Sequence, residues 1–246
     1  MWPGGSVWVG RNSGRTTAHA HHAIQVTVCL EEGETILFRP GGEPNWRSYR
    51  ATIIRPHRAH AFDGCGRAVA HVFVEPETDL GRALAGKLGG SDIGGLEGDA
   101  SSVARELSAA WRAADDLSIV EAGRRLASTI AGALPPRDGP SPKIARALAF
   151  ISRNLPSSAS LSKVADSVGV SPSRLRHLFV AETGATYRGY VLWLRINRAV
   201  AIAMAGKTWT DAAHEAGFTD SAHLSRTFRR VFGVSPAMVV HEDRHG

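Results

Sequence analysis

Six of the chain's eleven histidines precede residue 72: His19, His21, His22, His57, His60 and His71. Neutral imidazole ligates divalent transition ions, and it titrates closer to neutrality than any other side chain. In "AHAHHAIQ", His19 and His21 stand two apart, so on a strand they share one face. Together with His60 from "IIRPHRAHAF" they could hold a divalent metal ion. The same histidines, with Gln25 and Trp46, could instead bind a small organic effector in a pocket. A third reading makes them satisfied structural residues. All three stay open at the level of sequence. The only thiols, Cys29 and Cys65, are too few for a disulfide framework. A reducing cytoplasm is the expected compartment.

A different chemistry sits further along. "GFTDSAHLSRTFRRVFGVSP" (217–236) sets Arg226, Arg229 and Arg230 among Leu224, Phe228 and Phe232. At helical spacing the apolar residues take one face and leave the arginines another. Net charge is +6 and lopsided. Residues 1–140 hold 15 Lys+Arg against 16 Asp+Glu, whereas residues 141–246 hold 14 against 7. Such asymmetry points to a polyanion partner for the later region only. On double-stranded DNA, Arg226 could donate twice to a guanine. Arg188, Lys207, Arg229 and Arg230 suit phosphates, which position without specifying sequence.

The elements that must position these groups differ between the two regions. "IQVTVCL" (24–30), "ETILF" (34–38), "ATIIR" (51–55) and "AVAHVFVE" (68–75) are β-branched runs between Gly/Pro turns, which predict short strands. From Thr78 the apolar spacing turns helical as far as residue 134. Leu107, Trp111, Leu126 and Ile130 would give those helices an apolar face able to self-associate into a homodimer. "PPRDGPSP" (135–142) reads as a linker, because its prolines exclude both helix and sheet ladders. Residues 143–246 are almost wholly helical in pattern. Neither a secretory leader nor an apolar run long enough to span a membrane is expected.

Within residues 143–246 a single layout occurs twice. Ala165, Gly169, Leu175, Phe179 and Gly184 are echoed by Ala213, Gly217, Leu224, Phe228 and Gly233. The Ala–Gly, Leu–Phe and Phe–Gly intervals are identical in the two copies, and the turn differs by one residue. Each copy has the physics of a helix-turn-helix: a small residue for close packing, a glycine for a left-handed turn, then a helix anchored by Leu and Phe. Ser171 and Pro172 suit the start of the first such helix, and Thr208 with Asp211 resembles a capping box. Residues 186–206 between the copies predict a rod of about 30 Å, close to the roughly 34 Å of one DNA turn.

On these residues, and above all on "AGFTDSAHLSRTFRRVFGVSP" (216–236), residues 143–241 resemble the DNA-binding domain of the AraC/XylS family of bacterial transcription regulators. The resemblance implies recognition helices over about 172–182 and 221–232 that enter successive major grooves. It places Ser173, Arg174, Arg176 and His177, then Ser221, Ala222, Ser225 and Arg226, on or near the bases. Ser221 and Ala222 are small for such positions, which would throw weight onto Arg226 and the phosphate contacts. It further implies promoter DNA, RNA polymerase, a second copy of the chain and an unknown effector as partners, in a bacterial cytoplasm. The histidine segments resemble the two short motifs of a cupin barrel, with Gln25 where metal-binding cupins usually carry Glu. The expected architecture is therefore an all-β cupin-like barrel (about 1–77) followed by helices (78–134), then an all-α domain with two helix-turn-helix motifs. The expected activity is ligand-responsive transcription regulation rather than catalysis. The alternative is a metal-dependent cupin enzyme or metal sensor carrying a DNA-binding tail.

Overall fold

The computed structural model describes residues 1–12, 14–96, 101–132, 139–155 and 160–240. The β-branched runs form strands close to those expected, β2 (Ile24–Cys29), β3 (Ile36–Pro40), β5 (Ala51–Ile54) and β7 (Ala68–Val74). They are joined by β1 (Gly5–Arg11), β4 (Arg47–Tyr49), β6 (His60–Asp63) and β8 (Ile93–Gly95). Pairing is antiparallel throughout the described ladders, in a five-stranded sheet β1-β7-β2-β5-β8 and a three-stranded sheet β4-β3-β6.

The expected barrel is not formed. Each sheet is open, with β1 and β8 as the edges of one and β4 and β6 as the edges of the other. The physical reason lies in β2, which is buried along its whole length. A strand with both faces covered needs a layer on each side. On one side Ile24, Val26 and Val28 join Val72 and Val74 of β7 against three helices. These are α1 (Asp79–Lys87), α2 (Ser101–Arg112) and α3 (Asp116–Ala131). On the other side Cys29, Ile54 and Val69 meet Ile36, Phe38 and Phe62 of the three-stranded sheet.

The helices therefore cover the sheet, and the self-association face expected of them is spent inside the fold. Leu107 and Leu126 are fully buried and Ile130 nearly so, with Trp111 packed beside them. At Gly123 of α3 a Cβ would lie 2.8 Å from the Cβ of Val7 on β1, so a side chain there would push helix and strand apart.

The remaining helices are α4 (Pro142–Asn154), α5 (Leu161–Ser167), α6 (Pro172–Thr183), α7 (Tyr187–Met204), α8 (Trp209–Glu215), α9 (Ser221–Phe232) and α10 (Ala237–Val240). The duplication holds to the residue: α5 and α8 have 7 residues each, α6 and α9 have 12. Gly169 (φ 67°) and Gly217 (φ 86°) both take the left-handed conformation that turns one helix into the next. Of the proline-rich segment, residues 135–138 lie outside the described residues.

The chain divides into two compact units. One joins Met1–Arg137 with Arg230–Gly246, and the other is Asp138–Arg229. The end of α9 thus belongs to the unit that holds the sheets. Among the described residues no helix is long and apolar enough to cross a membrane.

Candidate nucleic-acid interface and histidine cluster

Local capping sets the helix-turn-helix geometry. Ser171 accepts from the Arg174 amide at 3.2 Å to start α6, and Ser160 does the same for α5. Thr208 accepts from the Asp211 amide at 3.1 Å and donates to its carboxylate at 2.6 Å, the reciprocal cap foreseen for α8. In the second copy Asp220 starts α9 by accepting from the His223 amide at 2.6 Å, a cap that the comparison of the two copies missed. Leu175 and Phe179 are fully buried with Ala165, Val164 and Tyr190. Leu224 and Phe228 are buried in the same way in the second copy.

Burial of one face decides what the other can offer. Ser173, Arg174, Arg176 and His177 are all exposed on α6, with His177 Nδ1 donating to the Ser173 carbonyl at 2.8 Å. On α9, Ala222, Arg226, Arg229 and Arg230 are exposed or partly so, and Ser221 and Ser225 are half-buried. Arg188 is exposed at the start of α7. Lys207 is exposed too, but its ammonium is paired with Glu215 at 2.6 Å, so a phosphate would have to compete for it.

The histidines form the second cluster. His19 and His21 lie in a loop, not on a strand as the two-residue spacing suggested. They converge nonetheless, because His19 and His60 exchange both backbone hydrogen bonds at 2.9 Å across an isolated bridge. Their ring centroids are 4.3 Å apart, and that of His21 is 5.2 Å from His60. One potential ligand atom from each of His19, His21 and His60 lies within 4.8 Å of the other two. The three side chains are buried and could hold a metal ion.

Carbonyls fix the tautomers. Nδ1 of His19, His21 and His60 faces the carbonyls of Thr17, Ala23 and Arg58, each at 2.9 Å. A carbonyl only accepts, so Nδ1 of His19 and of His60 carries the proton and each of these neutral rings is left with its lone pair on Nε2, whereas His21 has a second acceptor, the Gln25 amide oxygen, 2.7 Å from its Nε2. Burial pushes all three rings toward the neutral form: His19 is lowered, His60 is brought down to about 3, and His21 falls well below its ordinary value. Nε2 of His60 is buried with no hydrogen-bond partner.

Gln25 joins this cluster, lying 2.7 Å from His21 Nε2 and reaching Thr27 at 2.7 Å and His71 at 3.2 Å. Trp46 is elsewhere, under the guanidinium groups of Arg15 and Arg39 at 5.1 and 5.2 Å. A cavity of about 570 Å³ is lined by Val28, Leu30, Glu31, Tyr49, Arg50 and Ala104 among others, and by none of the histidines. A buried pair between His22 and Glu77, at 2.9 Å, was not foreseen. The thiols offer little: burial raises both the Cys29 and the Cys65 pKa, which keeps them protonated.

Comparison with known proteins bears on the helical domain most directly. The family model for a helix-turn-helix domain matches residues 164–241. Transcriptional activator RhrA of Rhizobium meliloti (strain 1021) is 30% identical over 110 residues, which are 43% of this chain and 35% of that protein. The HTH-type transcriptional regulator YidL of Escherichia coli (strain K12) is 30% identical over 105 residues, 42% of this chain and 35% of that protein. The chain thus spans about a third of the length of these curated relatives. The crystal structure of ToxT from Vibrio cholerae O395 shares the fold over 98% of this chain and all of that one, with a TM-score of 0.62 at 11% identity. The chain therefore folds as two compact units, and residues 164–241 are a helix-turn-helix domain.

Proposed function

We propose that the protein is an effector-responsive, sequence-specific DNA-binding regulator of transcription, with the histidine-bearing unit as its sensor. One observation carries the reading. The chain holds two copies of a capped 7- and 12-residue helix pair, and the second helix of each buries Leu and Phe while exposing arginine. Solvated arginines on an ordinary bundle need no such duplication. The helix α7 between the copies has 18 residues, about 27 Å of rod, which suits two grooves on one side of a duplex.

In this reading Ser173, Arg174, Arg176, His177, Ser221, Ala222, Ser225 and Arg226 face base edges. Arg188, Arg229 and Arg230 meet phosphates, and Lys207 joins them if it leaves Glu215. Selection from a randomised duplex pool, followed by fluorescence anisotropy on the winners and on random duplex, tests it. Arg226→Ala should cost about 1–3 kcal/mol on the selected site and flatten sequence preference. Arg230→Ala should weaken both duplexes alike and shallow the salt dependence by about one ion. Equal losses on both duplexes for Arg226→Ala would overturn its assignment.

A further inference from the structure

We propose that His19, His21 and His60 bind one divalent transition-metal ion through Nε2, and that its occupancy is read out at Gly233, immediately after α9. The inference rests on the regulator reading above and names its effector. Three observations carry the site. All three Nδ1 atoms face backbone carbonyls, which leaves the lone pair on Nε2 of His19 and His60, while His21 Nε2 faces the Gln25 amide oxygen at 2.7 Å, a contact that an ion would displace. One ring nitrogen of each histidine already lies within 4.8 Å of one from each of the other two. His60 Nε2 has no hydrogen-bond partner although His60 is only 1% exposed.

The readout is a short chain of bonds inside the same compact unit. His19 Nδ1 donates to the Thr17 carbonyl at 2.9 Å. The Thr17 amide and hydroxyl both donate to the Gly233 carbonyl, at 3.1 and 3.2 Å. Phe232, the last residue of α9, packs on Trp8, Phe73 and His21 with ring centroids 4.6, 5.6 and 6.2 Å apart. Nitrogens on a tetrahedral ion at about 2.1 Å stand about 3.4 Å apart. Binding therefore draws the three rings inward from their spread of up to 4.8 Å. His21 exchanges its Gln25 contact for the ion, while His19 carries Thr17 with it. The perturbation reaches the helix that bears Ser221, Ser225 and Arg226.

The test uses the full chain after treatment with a chelator, titrated with zinc and with cobalt(II). Expected are one ion per chain by native mass spectrometry, a cobalt spectrum of nitrogen-ligated four-coordinate type, and at least tenfold weaker binding in His60→Ala and His19→Ala. Since either variant could misfold, circular dichroism of each is required, and the wild-type titration stands without them. Zinc should also slow amide exchange over residues 231–238 and change affinity for the selected duplex at least threefold. No stoichiometric ion, or an ion undisturbed in folded variants, overturns the site. A bound ion that leaves exchange at 231–238 and DNA affinity unchanged overturns the readout. Metal binding without any DNA binding would instead sink the regulator reading, so the two failures are distinguishable.

Discussion

Replacing Gly233 by alanine separates two costs that usually come together. Gly233 has φ 72°, a left-handed conformation in which a Cβ costs about 1 kcal/mol. A Cβ there would also overlap the Thr17 carbonyl oxygen and lie 2.7 Å from His19 Nδ1 and 2.9 Å from Thr16 Cβ. Two of these neighbours are anchored, since Thr16 donates its amide to Phe62 and His19 is bridged to His60. Overpacking against a site that cannot yield costs about 1–3 kcal/mol more. The total is about 2–4 kcal/mol, concentrated on the bond from the Thr17 amide to Gly233.

Gly169→Ala is the control. It has φ 67° with nothing within 4 Å of the added Cβ, so only the backbone cost of about 1 kcal/mol applies. Hydrogen exchange read at single amides distinguishes them. Exchange at Thr17 should accelerate about 30-fold or more in Gly233→Ala, since 2 kcal/mol corresponds to that factor. In Gly169→Ala it should not change. Thr17 exchange within threefold of wild type in Gly233→Ala would refute both the steric reasoning and the seat assigned to this residue.

Three further outcomes are expected. Burial, then the charge of His19, brings His71 to about 4, whereas the unfolded chain titrates near 6.5. The unfolded state therefore takes up the proton first, and stability present above pH 6.5 is lost as pH falls toward 4. In chelator-treated protein, unfolding free energy should drop by about 2 kcal/mol between pH 7 and pH 5 through His71, with His57 and His60 adding to the slope. A flat urea midpoint over that range would refute it. Glu77→Ala should destabilise the sheet-bearing unit by about 1–3 kcal/mol, because it removes the acceptor 2.9 Å from His22 Nε2 at a site where both side chains are under 5% exposed. Differential scanning calorimetry should show one transition shifted and the other unmoved. Phe179→Ala should cost about 3–5 kcal/mol in the other unit and abolish binding to any duplex, while retained binding would mean that α6 does not depend on that anchor.

What could be read from the sequence was what is decided locally. The pairs Leu175–Phe179 and Leu224–Phe228 reveal helices because burial on a helix recurs every three or four residues. Gly169 and Gly217 reveal the turns because few other residues adopt positive φ. The strands were visible by the same logic, since the β-branched run in "IQVTVCL" needs no knowledge of partners. Closure of the sheets was not visible, because it depends on which strands meet β1 and β8 and on helices made later in the chain. His22 and Glu77 are 55 positions apart, and no periodicity connects them. His19 and His60 were paired by resemblance, and their actual juxtaposition comes from a backbone bridge rather than from a shared strand face. The apolar residues of α2 and α3 were correctly read as a face, but what covers a face is a tertiary fact.

The division of the sheet-bearing unit between two stretches of chain bears on its synthesis. Phe232 and Gly233 are made long after Trp8, Thr17 and Phe73, against which they settle. At ordinary elongation rates the ribosome needs roughly 8–30 s to travel from residue 73 to residue 232. Throughout that interval the nascent sheets hold an unfinished patch of aromatic and imidazole surface, available to chaperones or to another nascent chain. The same discontinuity limits domain engineering, because a cut at the proline-rich segment would separate the end of α9 from the aromatic rings it packs against.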